Sequence, residues 1–121
     1  MTKMNERELQ LLDDMRIDLP KTGIYTPHAI YMDYNLSCFE KMVLSEMIRL
    51  IRASKRKNGY CYATNKYFSV VFHKSKTQII NVINKLKKDG YIDVVYATNH
   101  ITRRIYINNE KCFDRKEEYI K

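Results

Sequence analysis

Residues 76–89 carry polar side chains whose types match the hydrogen-bonding edges of DNA bases. The amides of Gln78 and Asn81 can each form two hydrogen bonds with the major-groove edge of adenine, and the ammonium group of Lys76 can reach guanine or a phosphate. The chemistry that this pattern favours is the reading of A/T-containing duplex DNA. A helix face that is only solvated by water is the alternative for each of these side chains.

The same side of this segment continues with methyl-bearing and further polar side chains. Thr77 and Ile80 can place methyl groups against the methyl group of thymine, and Asn84 and Lys85 extend the polar surface by one turn. Ile80 lies off the apolar stripe that we predict to be buried. We therefore expect Ile80 to contact either DNA or another protein.

Two amphipathic segments separated by a tight turn would hold these side chains. Residues 65–73 form the first predicted helix, with Thr64 or Asn65 as its N-cap, and residues 76–89 form the second, with Ser75 as its N-cap. Apolar residues of the second helix recur at spacings of three and one, and we predict that this stripe is buried: Ile79, Val82, Ile83 and Leu86.

Two β-rich runs follow Gly90, a residue that suits the left-handed conformation at the end of a helix. Residues 91–96 and 101–107 are rich in Ile, Val and Tyr, and four residues join them, which is typical of a hairpin with a small wing. Residues 60–62 can add a short strand. The order of these elements predicts an α+β fold, a winged helix-turn-helix with a three-helix core and a β-hairpin wing.

The first helix of that core is predicted over residues 37–54. Ser37 and Glu40 have the spacing of a capping box. Apolar residues then recur at spacings of three and four and predict one buried face: Phe39, Met42, Val43, Met47, Leu50 and Ile51. Before this helix, residues 24–35 are predicted to form extended chain against the core.

The chain divides into three predicted regions. Residues 1–23 form an N-terminal extension with a short helix over residues 5–16, and residues 24–107 form the winged-helix domain. Residues 108–121 are a highly charged tail, either a docked helix or a frayed end. The fold prediction therefore includes an extra N-terminal helix and a charged C-terminal tail.

Positive charge is concentrated in the centre of the chain. The formal net charge is +8, and residues 49–104 contain thirteen Lys and Arg against two Asp, a net charge of +11. Residues 1–48 carry a net charge of −3 and residues 105–121 a net charge of zero. This clustering favours a polyanionic partner. Roughly six to eight phosphate contacts would make the affinity fall steeply with salt.

Candidate phosphate contacts come from helix starts, the basic loop and the wing. The helix starts at Thr64 and Ser75 can offer backbone N–H groups to phosphates or serve in capping alone. Successive strand residues point to opposite faces, so we expect only one of Arg103 and Arg104 to touch DNA. Residues 55–57 can equally be a solvated loop. The remaining candidates are Arg56, Lys57, Lys66 and Lys74, with Asn99 or His100 at the wing tip.

The residues that enzymes use are scattered through the chain. The cysteines Cys38, Cys61 and Cys112 form no Cys-x-x-Cys pair, and their odd number fits free, packed thiols in a reducing cytoplasm. The three His lie in separate segments and only three Gly are present, so we expect no metal, cofactor or catalysis. No apolar run has the length of a membrane span. The ten Tyr invite a single-strand stacking hypothesis, but packing explains most of them better.

Four stretches of the sequence resemble a known family: residues 35–41, 59–68, 75–92 and 103–107. They look like the winged helix-turn-helix domain of replication initiators and replisome organisers from phages and plasmids of Gram-positive bacteria. The resemblance covers about residues 24–107 and implies binding to repeated sites at an origin. Such proteins normally carry a second domain for oligomerisation or partner loading. We expect this sequence to be either a fragment of one or a stand-alone binder.

These observations predict a non-enzymatic, cytoplasmic protein that recognises a specific double-stranded DNA site, at a phage or plasmid origin or operator. The helix over residues 76–89 would enter the major groove, and the wing and basic loop would hold adjacent phosphates. A homodimer is expected, through residues 5–16 or the tail, and replication proteins are possible partners. The rivals are a transcriptional repressor of the same fold and a protein-interaction module, such as an inhibitor of a host protein.

Overall fold

A computed structural model describes residues 23–55, 57–97 and 102–121. The predicted helix over residues 5–16 lies outside the described residues, as do Arg56, Asn99 and His100. The helices, strands and one 3₁₀ turn follow in the order α1 His28–Tyr31, α2 Cys38–Ala53, α3 Asn65–Phe72, α4 Lys76–Lys88, β1 Ile92–Tyr96, β2 Arg103–Ile107, α5 Asn109–Cys112 and the 3₁₀ turn Lys116–Glu118.

Side-chain caps explain where the longer helices begin. The predicted capping box of α2 is confirmed, because Ser37 Oγ accepts from the Glu40 N–H at 3.2 Å and Glu40 Oε1 accepts from the Ser37 N–H at 2.7 Å. Thr64 Oγ1 caps α3 by accepting from the Tyr67 N–H at 3.1 Å. Each cap satisfies backbone donors that would otherwise lack a partner at a helix start.

The end of α4 is a Schellman motif. The Gly90 N–H donates to the Lys87 carbonyl at 3.2 Å and the Tyr91 N–H donates to the Leu86 carbonyl at 2.9 Å. Gly90 has a φ of +83°, which confirms the predicted left-handed residue. The chain therefore reverses at once into β1, which packs against α4.

The core lies between the helices and the inner face of the hairpin. The predicted stripe of α4 is confirmed, since all four of its residues are buried. The single face predicted for α2 is partly wrong: Met42 is exposed, whereas Leu44 and Ile48 are buried. The physical reason is that residues 43–48 are all buried, so the middle of α2 is enclosed on several sides.

The segment before α2 differs from the predicted extended chain. Pro27 begins a single helical turn, α1, because its carbonyl accepts from the Ile30 and Tyr31 N–H groups at 3.1 and 2.9 Å. Ile30 is fully buried, and α1 packs against α2 and α5. Ile30 is therefore buried from a helical turn, and a short apolar pattern could not distinguish this turn from extended chain.

The C-terminal tail is docked. Phe113 is buried, and the Asn109 side chain donates to the Ile120 carbonyl and accepts from the Ile120 N–H, both at 2.9 Å. Arg52 of α2 donates to the Glu118 carbonyl at 2.7 Å. Of the two outcomes left open by the sequence, the tail therefore takes the packed one, with one short helix and a 3₁₀ turn.

The hairpin strands β1 and β2 pair antiparallel, with Val94 opposite Ile105 and Val95 opposite Arg104. The predicted third strand is a single bridge, in which Cys61 and Ile105 exchange backbone hydrogen bonds of 2.9 and 2.7 Å. The described residues therefore form a winged helix-turn-helix of the α+β class.

Candidate nucleic-acid interface

The geometry of the turn between α3 and α4 sets the orientation of the second helix. His73 closes α3 in the left-handed conformation with a φ of +56°. The Lys74 N–H donates to the Ser69 carbonyl at 3.1 Å, and Ser69 Oγ donates to the Lys74 carbonyl at 2.5 Å. Because Ser69 of α3 holds both the backbone N–H and the carbonyl of Lys74, the start of α4 is fixed against α3.

The side of α4 opposite the buried stripe is open to solvent. Six of the predicted contact residues are exposed there: Lys76, Thr77, Gln78, Ile80, Asn81 and Asn84. Ile80 keeps 41% of its surface exposed, which agrees with its position off the stripe. Within the described part of the chain, the side chains of Lys76, Asn81 and Asn84 have no hydrogen bond or ion pair. These donors and acceptors are therefore available to a ligand.

Gln78 differs from its neighbours because its side chain belongs to a second capping box. Its Oε1 accepts from the Ser75 N–H at 3.0 Å, while Ser75 Oγ accepts from the Gln78 N–H at 3.2 Å. Ser75 Oγ also donates to the same Oε1 at 3.2 Å, so both lone pairs of this oxygen are engaged, and two hydrogen bonds to adenine would need it as an acceptor. Base reading by Gln78 would therefore have to open the cap, whereas base reading by Asn81 would not.

Lys85 is held inside the fold. Its Nζ lies 2.7 Å from Glu40 Oε1 and 2.6 Å from the Asn35 carbonyl oxygen, so α4 is tied to the start of α2. Burial raises the pKa of Glu40, but the hydrogen bonds from Lys85 and Ser37 outweigh it and hold this pKa below its ordinary value. The ammonium group of Lys85 is therefore less accessible than we expected from the sequence.

The end of α4 and the residues that follow it are tied to the chain before α2 by two further hydrogen bonds. Tyr91 Oη donates to Asp33 Oδ2 at 2.5 Å, and Asn35 Nδ2 donates to Asp89 Oδ2 at 2.8 Å. Together with Lys85, which lies in the last turn of α4, these bonds hold the C-terminal end of the helix.

The predicted phosphate contacts separate into exposed and engaged cations. Lys57 and Lys74 are exposed and Lys66 is half-buried, with Lys74 Nζ 5.5 Å from the centre of the Phe39 ring. Arg104 is exposed and stacks over Tyr60 at 4.8 Å. Arg103 is half-buried, donates to the Ala63 carbonyl at 3.1 Å, and has its pKa lowered by burial. Arg104 therefore presents the freer guanidinium of the two.

A buried ionic cluster that the sequence analysis did not identify holds α3 on α2. Glu46 is fully buried and accepts from Arg49 Nε at 2.5 Å, from Arg49 Nη2 at 2.9 Å and from Tyr67 Oη at 2.7 Å. Burial and the bond to Glu46 raise the pKa of Tyr67. The spacing of Glu46 and Arg49 by three residues was the available signal. Arg49 is therefore compensated inside the protein and adds no free charge to its surface.

The cysteines were expected to be packed, and this is wrong for Cys38, which is exposed at the first position of α2. Cys61 and Cys112 are buried, and burial raises their thiol pKa values to about 11 and about 12. At neutral pH both thiols are therefore protonated and weak nucleophiles. Among the described residues, no three His, Cys, Asp or Glu side chains are grouped as metal ligands. Across that same part of the chain, each helix is too short or too polar to cross a membrane.

Part of the chain matches a known protein family. Residues 34–92 match a protein family described as a helix-turn-helix domain, and this range contains α2, the turn and α4. Neither a curated protein nor a solved structure gave a significant match to the chain. The matched range ends where β1 begins. The match supports a helix-turn-helix DNA-binding domain at residues 34–92.

Proposed function

We propose that this protein binds a specific duplex DNA site by inserting α4 into the major groove. The observation that carries the proposal is the exposed face of α4, where the side chains of Lys76, Asn81 and Asn84 have no partner in the described chain, opposite a buried apolar stripe. The helix-turn-helix match and the net charge of +11 over residues 49–104 support the same function.

The geometry favours different roles for different residues. Asn81 is the leading base reader because its amide is unengaged, with Lys76, Thr77, Ile80 and Asn84 as its neighbours on the exposed face. Phosphates would be bound by the exposed or half-exposed cations Lys57, Lys66, Lys74 and Arg104. Ser75 and Gln78 hold the start of α4, and Lys85 and Arg103 position the elements that they join.

The biological role that we propose is origin binding in the replication of a phage or plasmid. It rests on the likeness of residues 24–107 to initiator and replisome-organiser domains. One short helix reads only a few base pairs, so paired half-sites and a homodimer suit such a role. Repression of transcription would use the same protein surface, and the genomic position of the bound site distinguishes the two roles. Repeated copies within an origin support the first, and a single copy over a promoter supports the second.

A protein-interaction module is the second candidate function. The observation in its favour is Ile80, which exposes 41% of its surface on an otherwise polar helix face. An exposed branched side chain of this kind suits an apolar pocket on a protein as well as a thymine methyl group.

The decisive experiment is fluorescence anisotropy with a duplex selected from a random library and with an unselected duplex. Asn81→Ala should reduce the preference for the selected site by about 5- to 150-fold and leave binding to the unselected duplex unchanged. Lys74→Ala should lower the salt slope by about 0.9, and Lys116→Ala in the tail is the matched control that should not. A protein that binds neither duplex at low salt would contradict the proposal and favour the protein-interaction module.

A further inference from the structure

A groove of about 780 Å³ lies between the end of α2, the loop after it and the wing end of the hairpin. It falls within the size range of sites that bind small ligands. The lining side chains that matter are Lys55, Asn58, Tyr60, Tyr62, Arg103 and Arg104. Each described residue that lines the groove is neutral or basic, so its electrostatic character favours an anion.

The alternation of residues 60–62 places aromatic rings at this groove. Cys61 is buried and pairs with Ile105, so its neighbours Tyr60 and Tyr62 point to the outer face of the sheet. Tyr106 lies on this face too, with its ring centre 5.7 Å from that of Tyr60. The outer face therefore has aromatic character on a surface that the core does not use.

Tyr60 and Tyr62 differ in their surroundings. The Tyr60 ring is covered by the guanidinium of Arg104 at 4.8 Å. Tyr62 exposes 68% of its surface, and within the described part of the chain its ring has no aromatic or cationic partner. Packing does not account for an aromatic ring in this position. An exposed ring in a groove that is also lined by two guanidinium groups and a lysine is the arrangement that stacks a base and binds its phosphate.

We propose that this groove binds unpaired nucleotides of single-stranded DNA, with a base stacked on Tyr62 and the adjoining phosphates bound by Lys55 and Arg104. Arg103, fixed through the Ala63 carbonyl, forms the floor. The proposal goes beyond duplex recognition and does not depend on it, because α4 contributes none of these side chains. It implies that the protein can hold a duplex site on α4 and an unpaired strand in the groove, with Arg104 as the one proposed phosphate contact that belongs to both.

The test is anisotropy of a 5′-fluorescein-labelled (dT)8 strand with the full chain at two salt concentrations. Tyr62→Ala should weaken binding by about 5- to 150-fold, and Tyr62→Phe should bind like the wild type because the stacking ring remains. Tyr34→Ala is the matched control, since Tyr34 is a fully exposed tyrosine outside the groove. Arg104→Ala should lower the single-strand salt slope by about 0.7.

An abasic strand of the same length separates stacking from charge. The wild type should bind the abasic strand as weakly as Tyr62→Ala binds (dT)8. Equal binding of (dT)8 by the wild type and Tyr62→Ala would overturn the proposal, and so would an equal loss in Tyr34→Ala. Duplex binding by Tyr62→Ala is measured in parallel. If Tyr62→Ala lost duplex binding together with single-strand binding, both ligands would use one surface, which also contradicts the proposal. If Asn81→Ala failed to alter duplex recognition, that result would bear on the proposed function alone.

Discussion

The starts of α2 and α4 have the same capping box and opposite surroundings. At α2, the acceptor that reaches back is the carboxylate of Glu40, which also receives a hydrogen bond from Lys85. At α4, the acceptor is the neutral amide of Gln78, exposed and bound only within the cap. A helix N-terminus carries a partial positive charge. Glu40 compensates that charge within the protein, whereas Gln78 leaves it available to a phosphate.

The difference shows how one local motif serves two purposes. A charged cap with a tertiary partner fixes a helix in the core, and a neutral cap without one keeps a helix start free for an anion. The comparison predicts that a charged cap residue at α4 will weaken DNA binding, and that a neutral cap residue at α2 will lower stability.

The largest expected effect follows Gln78→Glu. The carboxylate should preserve the capping box, because it accepts from the Ser75 N–H as the amide does. It would also place a negative charge beside phosphates, so we expect duplex affinity at low salt to fall by about 10- to 100-fold. Anisotropy measures the affinity. Tyr34→Glu makes the same change in net charge at a fully exposed site and should lower affinity much less. Equal losses in the two variants would remove the distinction between the caps.

The next effect is on stability. Glu40→Gln keeps an acceptor for the Ser37 N–H but removes the ion pair with Lys85, whose side chain is 37% exposed. We therefore expect the free energy of unfolding in urea to fall by about 1 kcal/mol, since partial exposure reduces the strength of such a pair. Duplex affinity should remain close to that of the wild type. A large loss of affinity without a loss of stability would show that Glu40 acts at the DNA surface instead.

The pH dependence of stability tests the same ion pair. The pKa of Glu40 is lowered in the folded protein, so its contribution is present above the ordinary value of 4.5 and is lost as the pH falls through the folded pKa. We expect the melting temperatures of the wild type and Glu40→Gln to differ at pH 6. This difference should shrink as the pH falls through the folded pKa of Glu40. A difference that does not shrink as the pH is lowered would contradict this assignment.

The smallest effect is expected for Gln78→Ala. Loss of one half of the capping box should lower the free energy of unfolding by about 0.5 kcal/mol, because Ser75 still caps the helix. Site preference should change less than in Asn81→Ala, and the two variants are compared in one anisotropy titration. A greater loss of preference in Gln78→Ala would make Gln78 the base reader and reverse the roles proposed for the two amides.

The sequence predicted the elements whose signals are local. The stripe of α4, the capping box at Ser37 and the left-handed Gly90 all depend on residues within a few positions of one another. The second capping box was local too, but Gln78 suits both a cap and an adenine edge. Residue type alone could not separate these two uses.

Features that depend on distant partners were not predictable from the pattern. Lys85 looked like part of the exposed face, yet its partner Glu40 lies 45 residues earlier in the chain. Met42 of α2 was wrongly placed on the buried face and Ile48 was left out of it, because the helix is enclosed by several elements at once. The groove at Tyr62 likewise forms only when the bridge between Cys61 and Ile105 brings separate segments together.

The separation of roles along α4 makes this helix a scaffold for changing binding specificity. Thr77, Ile80, Asn81 and Asn84 can be randomised without altering the buried stripe. A library of this kind should keep Ser75 and Gln78 for the helix start and Lys85 for its bond to Glu40. A helix transplanted from another protein would need a lysine at position 85, because without it the carboxylate of Glu40 in α2 would lose its partner in a largely buried position.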